Sequence, residues 1–205
     1  MALEREIKLR FDSADEARER ILAMGATPLL GRRLQEDCLF DTDTERLRLQ
    51  RSTLRVRSEG GKALLTFKGP VIPAAIKIRE EYETVVSDGQ ALQTILEELG
   101  LHVWFRIEKY REEFTAGEVV IAVDETPVGV FVEIEGVEEA IHDTARALGK
   151  SPADYITDSY RFLFLQLRDA KGLMGHDMVF AGLPTVASEP NVGLPAVAPG
   201  AKVSE

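Results

Sequence analysis

Cysteine is almost missing: Cys38 stands alone among 205 residues. No disulfide can form within the chain, and a reducing compartment is the expectation. Histidine is scarce as well. His102, His142 and His176 lie far apart, match no zinc-ligand spacing and are read as surface residues. No run is apolar and long enough to span a bilayer. The opening MALEREIKLRF is charged from its fourth residue and lacks the apolar centre of a secretory signal. A cytoplasmic protein that avoids membranes is the default. Basic charge is also short, with 25 Lys and Arg against 35 Asp and Glu and a formal net charge of −10. A nucleic-acid polymer or an anionic lipid surface is therefore a poor partner. A small anion is not excluded, because a basic cavity can sit inside an acidic molecule. Surplus carboxylate is what a hard divalent cation needs.

What is present reads as one soluble domain with a tail, long enough to bury a sizeable core. No repeat of fixed period is found. Residues 3–11 alternate and read as a strand. Residues 13–24 read as a helix, with Ser13 and Glu16 spaced as a capping box and Gly25 ending it. Residues 36–41 read as a short strand or sheet edge. Residues 53–58 and 62–68 flank Glu59-Gly60-Gly61, a hairpin turn. Strands follow at 77–86, 103–115, 118–124 and 129–135, and helices at 89–99, 137–149 and 158–170. Beyond Gly172 the chain turns to Ala, Pro, Gly, Val and Ser without period, and an unordered tail over 173–205 is expected. About eight short strands with few helices point to a mainly β (α+β) barrel or sandwich.

Charge at two-residue spacing is the informative feature, because side chains at i, i+2 and i+4 of a strand share one face. Glu4, Glu6 and Lys8 share a face opposite Ile7 and Leu9. Arg55 and Arg57 do the same, as do Arg79, Glu81 and Glu83, then Lys109 and Arg111, then Glu133 and Glu135. Lys68 and Asp124 close two further strands. One such strand is ordinarily half of a sheet whose polar face is wet. Here all the shared faces are built from Glu, Asp, Arg and Lys, some of a single sign. Like charges two apart repel unless opposite charges come between them. A closed barrel with the charges inside supplies that arrangement. Carboxylates would then hold divalent cations, and arginines and lysines would hold phosphate oxygens. Tyr82, Trp104 and Phe105 could stack on a base, although strand aromatics usually belong to the core.

Glu4-x-Glu6-x-Lys8 resembles the E-x-E-x-K signature of the CYTH superfamily, the triphosphate tunnel metalloenzymes. These include class IV adenylyl cyclases, thiamine triphosphatases and inorganic triphosphatases. The short motif alone is weak. The ordered set is strong: Arg55-x-Arg57, Lys68 in TFKGP, Arg79-x-Glu81-x-Glu83, Lys109-x-Arg111, Asp124, and Glu133-x-Glu135 in FVEIEG. The resemblance covers about residues 3–165. It implies a tunnel domain over residues 1–172, built as a closed eight-stranded antiparallel barrel with helices outside. It places Lys8, Arg55, Arg57, Lys68, Lys109 and Arg111 on the triphosphate, with Arg79 either there or paired with carboxylates. Lys8 is the candidate for the catalytic step, and no general base stands out by spacing. Glu4, Glu6, Glu81, Glu83, Asp124, Glu133 and Glu135 form the pool of ligands for Mg²⁺ or Mn²⁺. The implied substrate is ATP, thiamine triphosphate or inorganic triphosphate, and a homodimer is allowed. Length and the KYRE segment at 109–112 lean toward the cyclase branch. A triphosphatase, or a polyphosphate-binding module without turnover, stays open. An apolar-ligand barrel is disfavoured by the ionic interior.

Overall fold

The computed structural model describes residues 2–180. Eight strands close into one antiparallel barrel: β1 (Ala2–Phe11), β2 (Thr27–Thr42), β3 (Thr53–Glu59), β4 (Lys62–Lys68), β5 (Lys77–Val86), β6 (Leu101–Ala116), β7 (Val119–Thr126) and β8 (Gly129–Gly136). The order around the wall is β1-β5-β4-β3-β2-β6-β7-β8, and β8 returns to β1. Gly60 and Gly61 both take positive φ (54° and 79°). That matches the tight, right-twisted hairpin that joins β3 to β4.

The apolar parity of the strands faces outward, where helices cover it. Helix α1 (Ala14–Ala23) and helix α4 (Glu138–Ala147) lie over β1, β7 and β8. There Ile7, Leu9, Ile121, Val132 and Ile134 pack with Ile21, Ile141 and Ala145. Ser13 caps α1 by accepting the Glu16 amide at 3.1 Å, and the Glu16 carboxylate takes the Asp12 amide. A single turn, α2 (Arg46–Leu49), follows β2, and the buried Asp41 holds it by accepting the Leu47 and Arg48 amides. Helix α3 (Gly89–Glu98) covers β3, β4 and β6 through Leu96, against Cys38, Phe40 and Val56. Helix α5 (Tyr160–Lys171) differs: it packs Leu163 and Phe164 on Leu39, Phe105, Ile107 and Phe131, which share the inward parity of Asp37, Lys109 and Glu133, and its first turn borders the barrel's interior. None of the described helices is long and apolar enough to cross a membrane.

Two expectations are corrected. β2 is neither short nor an edge: it runs sixteen residues and pairs with both β3 and β6. Its register slips between Pro28 and Leu30 and again before Arg33, and those bulges break the two-residue period in the sequence. Residues 173–180, expected to belong to an unordered tail, instead pack on the barrel. Met178 is fully buried and bridges β6, taking the Glu108 amide at 2.8 Å and donating to Arg106 at 3.0 Å. β7 pairs with β6 only from Tyr110 onward, so this segment covers an edge that the barrel leaves open. Residues 181–205 lie outside the described residues.

Candidate functional site

Inside the barrel lies a cavity of about 1450 Å³. Its wall carries every charged position expected from parity except Asp124. Three clusters organise it. On β1, β4 and β5, Glu4 accepts from Lys68 and, at 2.9 Å, from Arg79. Lys68 also reaches Glu81 at 2.9 Å, and Lys77 pairs with Glu6. Burial and Glu6 oppose ionisation of Glu4, yet Lys68 and Arg79 hold its carboxyl below the usual range. Arg79 thus sits with carboxylates, one of the two placements expected of it.

The second cluster belongs to β3 and its neighbours. Asp37 on β2 grips Arg57 with both oxygens, at 2.6 and 2.8 Å. Burial works against the Asp37 anion, and Arg57 and Arg55 hold its pKa far below the ordinary carboxylate value. Arg55 donates to Thr66 at 3.1 Å and lies 3.5 Å from Glu83, to which Thr66 also donates. The Arg55 Nε is buried and finds no partner among the described residues.

The third cluster spans β1, β6, β7 and β8. Asp124, wholly buried, accepts from Lys109 at 2.7 Å and from Arg111 at 2.6 and 2.7 Å. It lies behind these cations and does not line the cavity. Glu133 takes Lys8 at 3.0 Å and Arg111. Burial would discharge Lys8, but Glu133 and Glu6 raise its pKa well above the usual amine value. Lys109 goes the other way, lowered to about 8 by burial and the neighbouring Arg111. Tyr160 of α5 donates its hydroxyl to Asp124 at 2.7 Å. Burial and the charges of Asp124 and Glu133 push that phenol well above its ordinary pKa, so it stays a donor.

Glu135 is different. It has no ion pair or hydrogen bond among the described residues, and it faces Glu6 across the β1–β8 ladder. Partial burial and the charges of Glu4, Glu6 and Glu81 raise its carboxyl to about 7. A hard cation suits such a donor set: all oxygen, several carboxylates, and one whose charge is opposed by its neighbours. The remaining carboxylates already carry ammonium or guanidinium partners. Among the described residues no three carboxylate, His or Cys groups converge at metal-binding distance. An ion would therefore have to displace Lys68 or Lys77 from Glu4 or Glu6.

Several lining residues escaped the sequence reading. Lys77 and Glu113 continue the parity of β5 and β6 by one step and could have been included. Asp37 was hidden because β2 inverts the pattern around it, with Glu36 exposed and Leu39 turned into the core. Tyr160 sits on a helix, where strand parity says nothing. Of the three candidate stacking aromatics, Trp104 borders the cavity, with Arg48 over its ring at 4.3 Å and Arg161 at 4.9 Å. Phe105 is core, and Tyr82 is exposed on the outer face.

A closed antiparallel barrel whose lumen is ionic and whose outside is apolar defines a tunnel protein. The chain belongs to the CYTH family, whose domain pattern matches residues 2–160. A Methanocaldococcus jannaschii protein, provisionally named an adenylate cyclase, is 28% identical over 169 residues, covering 77% of this chain and 96% of that one. Among solved structures, a provisionally named adenylate cyclase from Vibrio parahaemolyticus aligns with a TM-score of 0.70 at 23% identity, over 80% of this chain and 98% of that one. A Pyrococcus horikoshii protein aligns at 0.67 and 26% identity, over 80% and 99%. A Hippeastrum protein, first taken for an adenylyl cyclase and found to have a dominant triphosphatase activity, aligns at 0.61 and 18% identity, over 82% and 96%. The likenesses below 25% identity speak for the fold.

Proposed function

We propose that the protein is a divalent-cation-dependent enzyme that binds a triphosphate in its tunnel, with ATP cyclisation to cyclic AMP and pyrophosphate as the leading reaction. The observation that carries the triphosphate reading is Arg55 Nε, a buried guanidinium donor on the cavity wall without a partner among the described residues. Buried donors are normally satisfied, and a phosphate oxygen is the natural acceptor for this one. Arg57 stands two residues away, and Lys8, Lys109 and Arg111 face the same cavity from other strands. Fixed cations on several walls can spread the charge of a polyphosphate and hold it in line for attack. Glu135, with Glu4 and Glu6 beside it, would hold Mg²⁺ or Mn²⁺, which supplies further charge neutralisation and activation of an attacking oxygen.

The cyclase reading leans on the Methanocaldococcus relative. A triphosphatase is the second reading, favoured by the activity of the Hippeastrum protein. The two differ in which phosphorus is attacked: the α-phosphorus by the ribose 3′-oxygen, or the terminal phosphorus by water. The test is to incubate the protein with ATP, thiamine triphosphate and inorganic triphosphate, with Mg²⁺ or Mn²⁺, and identify products. Cyclic AMP with pyrophosphate supports the first reading and orthophosphate the second. Tight binding without turnover would make the domain a binding module.

A further inference from the structure

The segment after α4 is fastened to the barrel at both ends. Ile156 exchanges two backbone hydrogen bonds with Lys8, at 2.9 and 3.1 Å. β5 pairs with β1 only as far as Glu6, so Ile156 takes an edge position the ladder leaves free. Met178 does the same for β6, as described above. Between these points α5 begins with Ser159 as its cap, which accepts the Phe162 amide. This sets the first helical residue, Tyr160, into the barrel.

Tyr160 lines the cavity and touches three cations directly or at one remove. Its ring lies under the Lys8 and Lys109 ammonium groups, 4.9 and 5.0 Å from the ring centre. Such contacts stabilise a desolvated cation. Its hydroxyl bonds Asp124 Oδ2, the oxygen that also takes Lys109 and one arm of Arg111. Because Asp124 is wholly buried, no water stands ready to replace the phenol.

We infer that Tyr160 is a positioning residue for the triphosphate: it locks Asp124, and through Asp124 sets Lys109 and Arg111 at the tunnel wall. The inference rests on the triphosphate reading above. It makes α5 part of the anion site, so the docking of α5 and the alignment of the phosphate-binding cations are one event.

The experiment is calorimetric titration of the full chain with inorganic triphosphate, for the parent, Y160F, D124N and the double variant. Y160F removes one oxygen and keeps the ring. It is expected to weaken binding by about tenfold, because Lys109 and Arg111 lose their fixed alignment and must be ordered on binding, and to lower the melting temperature through the lost buried hydrogen bond. In the D124N background Y160F should change nothing further, since groups acting through one another are not additive. Should D124N fail to fold, K109M replaces it in the cycle. Parent-like binding by Y160F overturns the inference, as does a Y160F effect of full size in the D124N or K109M background. A parent that does not bind triphosphate at all overturns the triphosphate reading, and the inference with it.

Discussion

Asp37 and Arg57, neighbours across β2 and β3, form a two-pronged ion pair inside the barrel, at 2.6 and 2.8 Å. Both are buried. The pair fixes the guanidinium before any ligand arrives, so less ordering is left to do on binding. It also means that an incoming phosphate shares Arg57 with a carboxylate, while Arg55, whose Nε has no partner among the described residues, is the freer donor.

Removing one partner of such a pair strands the other. D37N is expected to cost about 3 kcal/mol or more of stability, read as a lower melting temperature. R55A should lose roughly tenfold to a hundredfold in kcat/KM, the scale of one or two charge-assisted hydrogen bonds, and R57A should lose as much and also melt below the parent, because it strands the buried Asp37. Lysine at either position should rescue only in part, because an ammonium cannot supply the planar fork. Parent-like kinetics in both arginine variants would remove them from the phosphate site.

The two carboxylates of FVEIEG should respond oppositely to neutralisation. Glu133 is held well below the usual range, burial notwithstanding, by Lys8, Lys109 and Arg111. Its stabilisation is therefore full above the unfolded value near 4.5 and is lost as pH falls. Glu135 is raised to about 7 from 4.5. Between those values the folded, metal-free protein holds a proton that the unfolded chain has released. Its destabilising effect is thus absent below pH 4.5, grows up to pH 7 and then stays constant. At pH 8 E133Q should melt below the parent and E135Q above it. At pH 4.5 the E135Q gain should vanish. Glu135 is exposed to water, so screening keeps that gain small. Melting curves without metal decide the point.

Parity made most of the lumen legible from the chain alone, because a closed wall forces every strand to turn alternate residues inward. Glu4, Glu6 and Lys8 are buried while Leu3 is exposed and Arg5 half-exposed, as that alternation requires. Legibility fails where the period is broken or the element changes. On β2 the exposed Glu36 and the inward Leu39 reverse the charge pattern around Asp37, and Asp124 shares the inward parity yet is covered by the cations it holds. Tyr160 comes from a helix that begins thirty-four residues past the end of β7, by way of β8 and α4, and only the packing of α5 brings it to Asp124. Met178 was lost in a low-complexity context, although the β6 edge it covers has a definite physical need for partners.

Divalent metal should be required for turnover. Excess EDTA is expected to abolish activity with the parent chain, and Mg²⁺ or Mn²⁺ to restore it. Added Mn²⁺ should also raise the melting temperature, since a ligand held by the folded state alone stabilises it, and this shift should shrink in E135Q. The second reading is independent of substrate, so it tests the carboxylates even where the natural triphosphate differs from those assayed. Full activity in EDTA would end the metal requirement.

The final prediction concerns the segment beyond α5. Met178 is fully buried, and residues 177–180 supply the Arg106 and Glu108 amides of β6 with acceptors, while Phe180 packs 5.3 Å from Tyr110. Burying one methionine is worth about 1.5–3 kcal/mol, and an unpaired strand edge costs more besides. A chain ending at Phe180 keeps these contacts, and a chain ending at Gly172 loses them. The shorter chain is therefore expected to melt several degrees below the longer one. M178D in the full chain should reproduce most of that loss, because it places a charge where the side chain has no access to water. The β6 amides offer a second readout: hydrogen exchange at Arg106 and Glu108 should accelerate in the Gly172-terminated chain and stay slow in the one ending at Phe180. Equal melting temperatures and equal protection in the two truncations would show that the segment contributes nothing to the barrel.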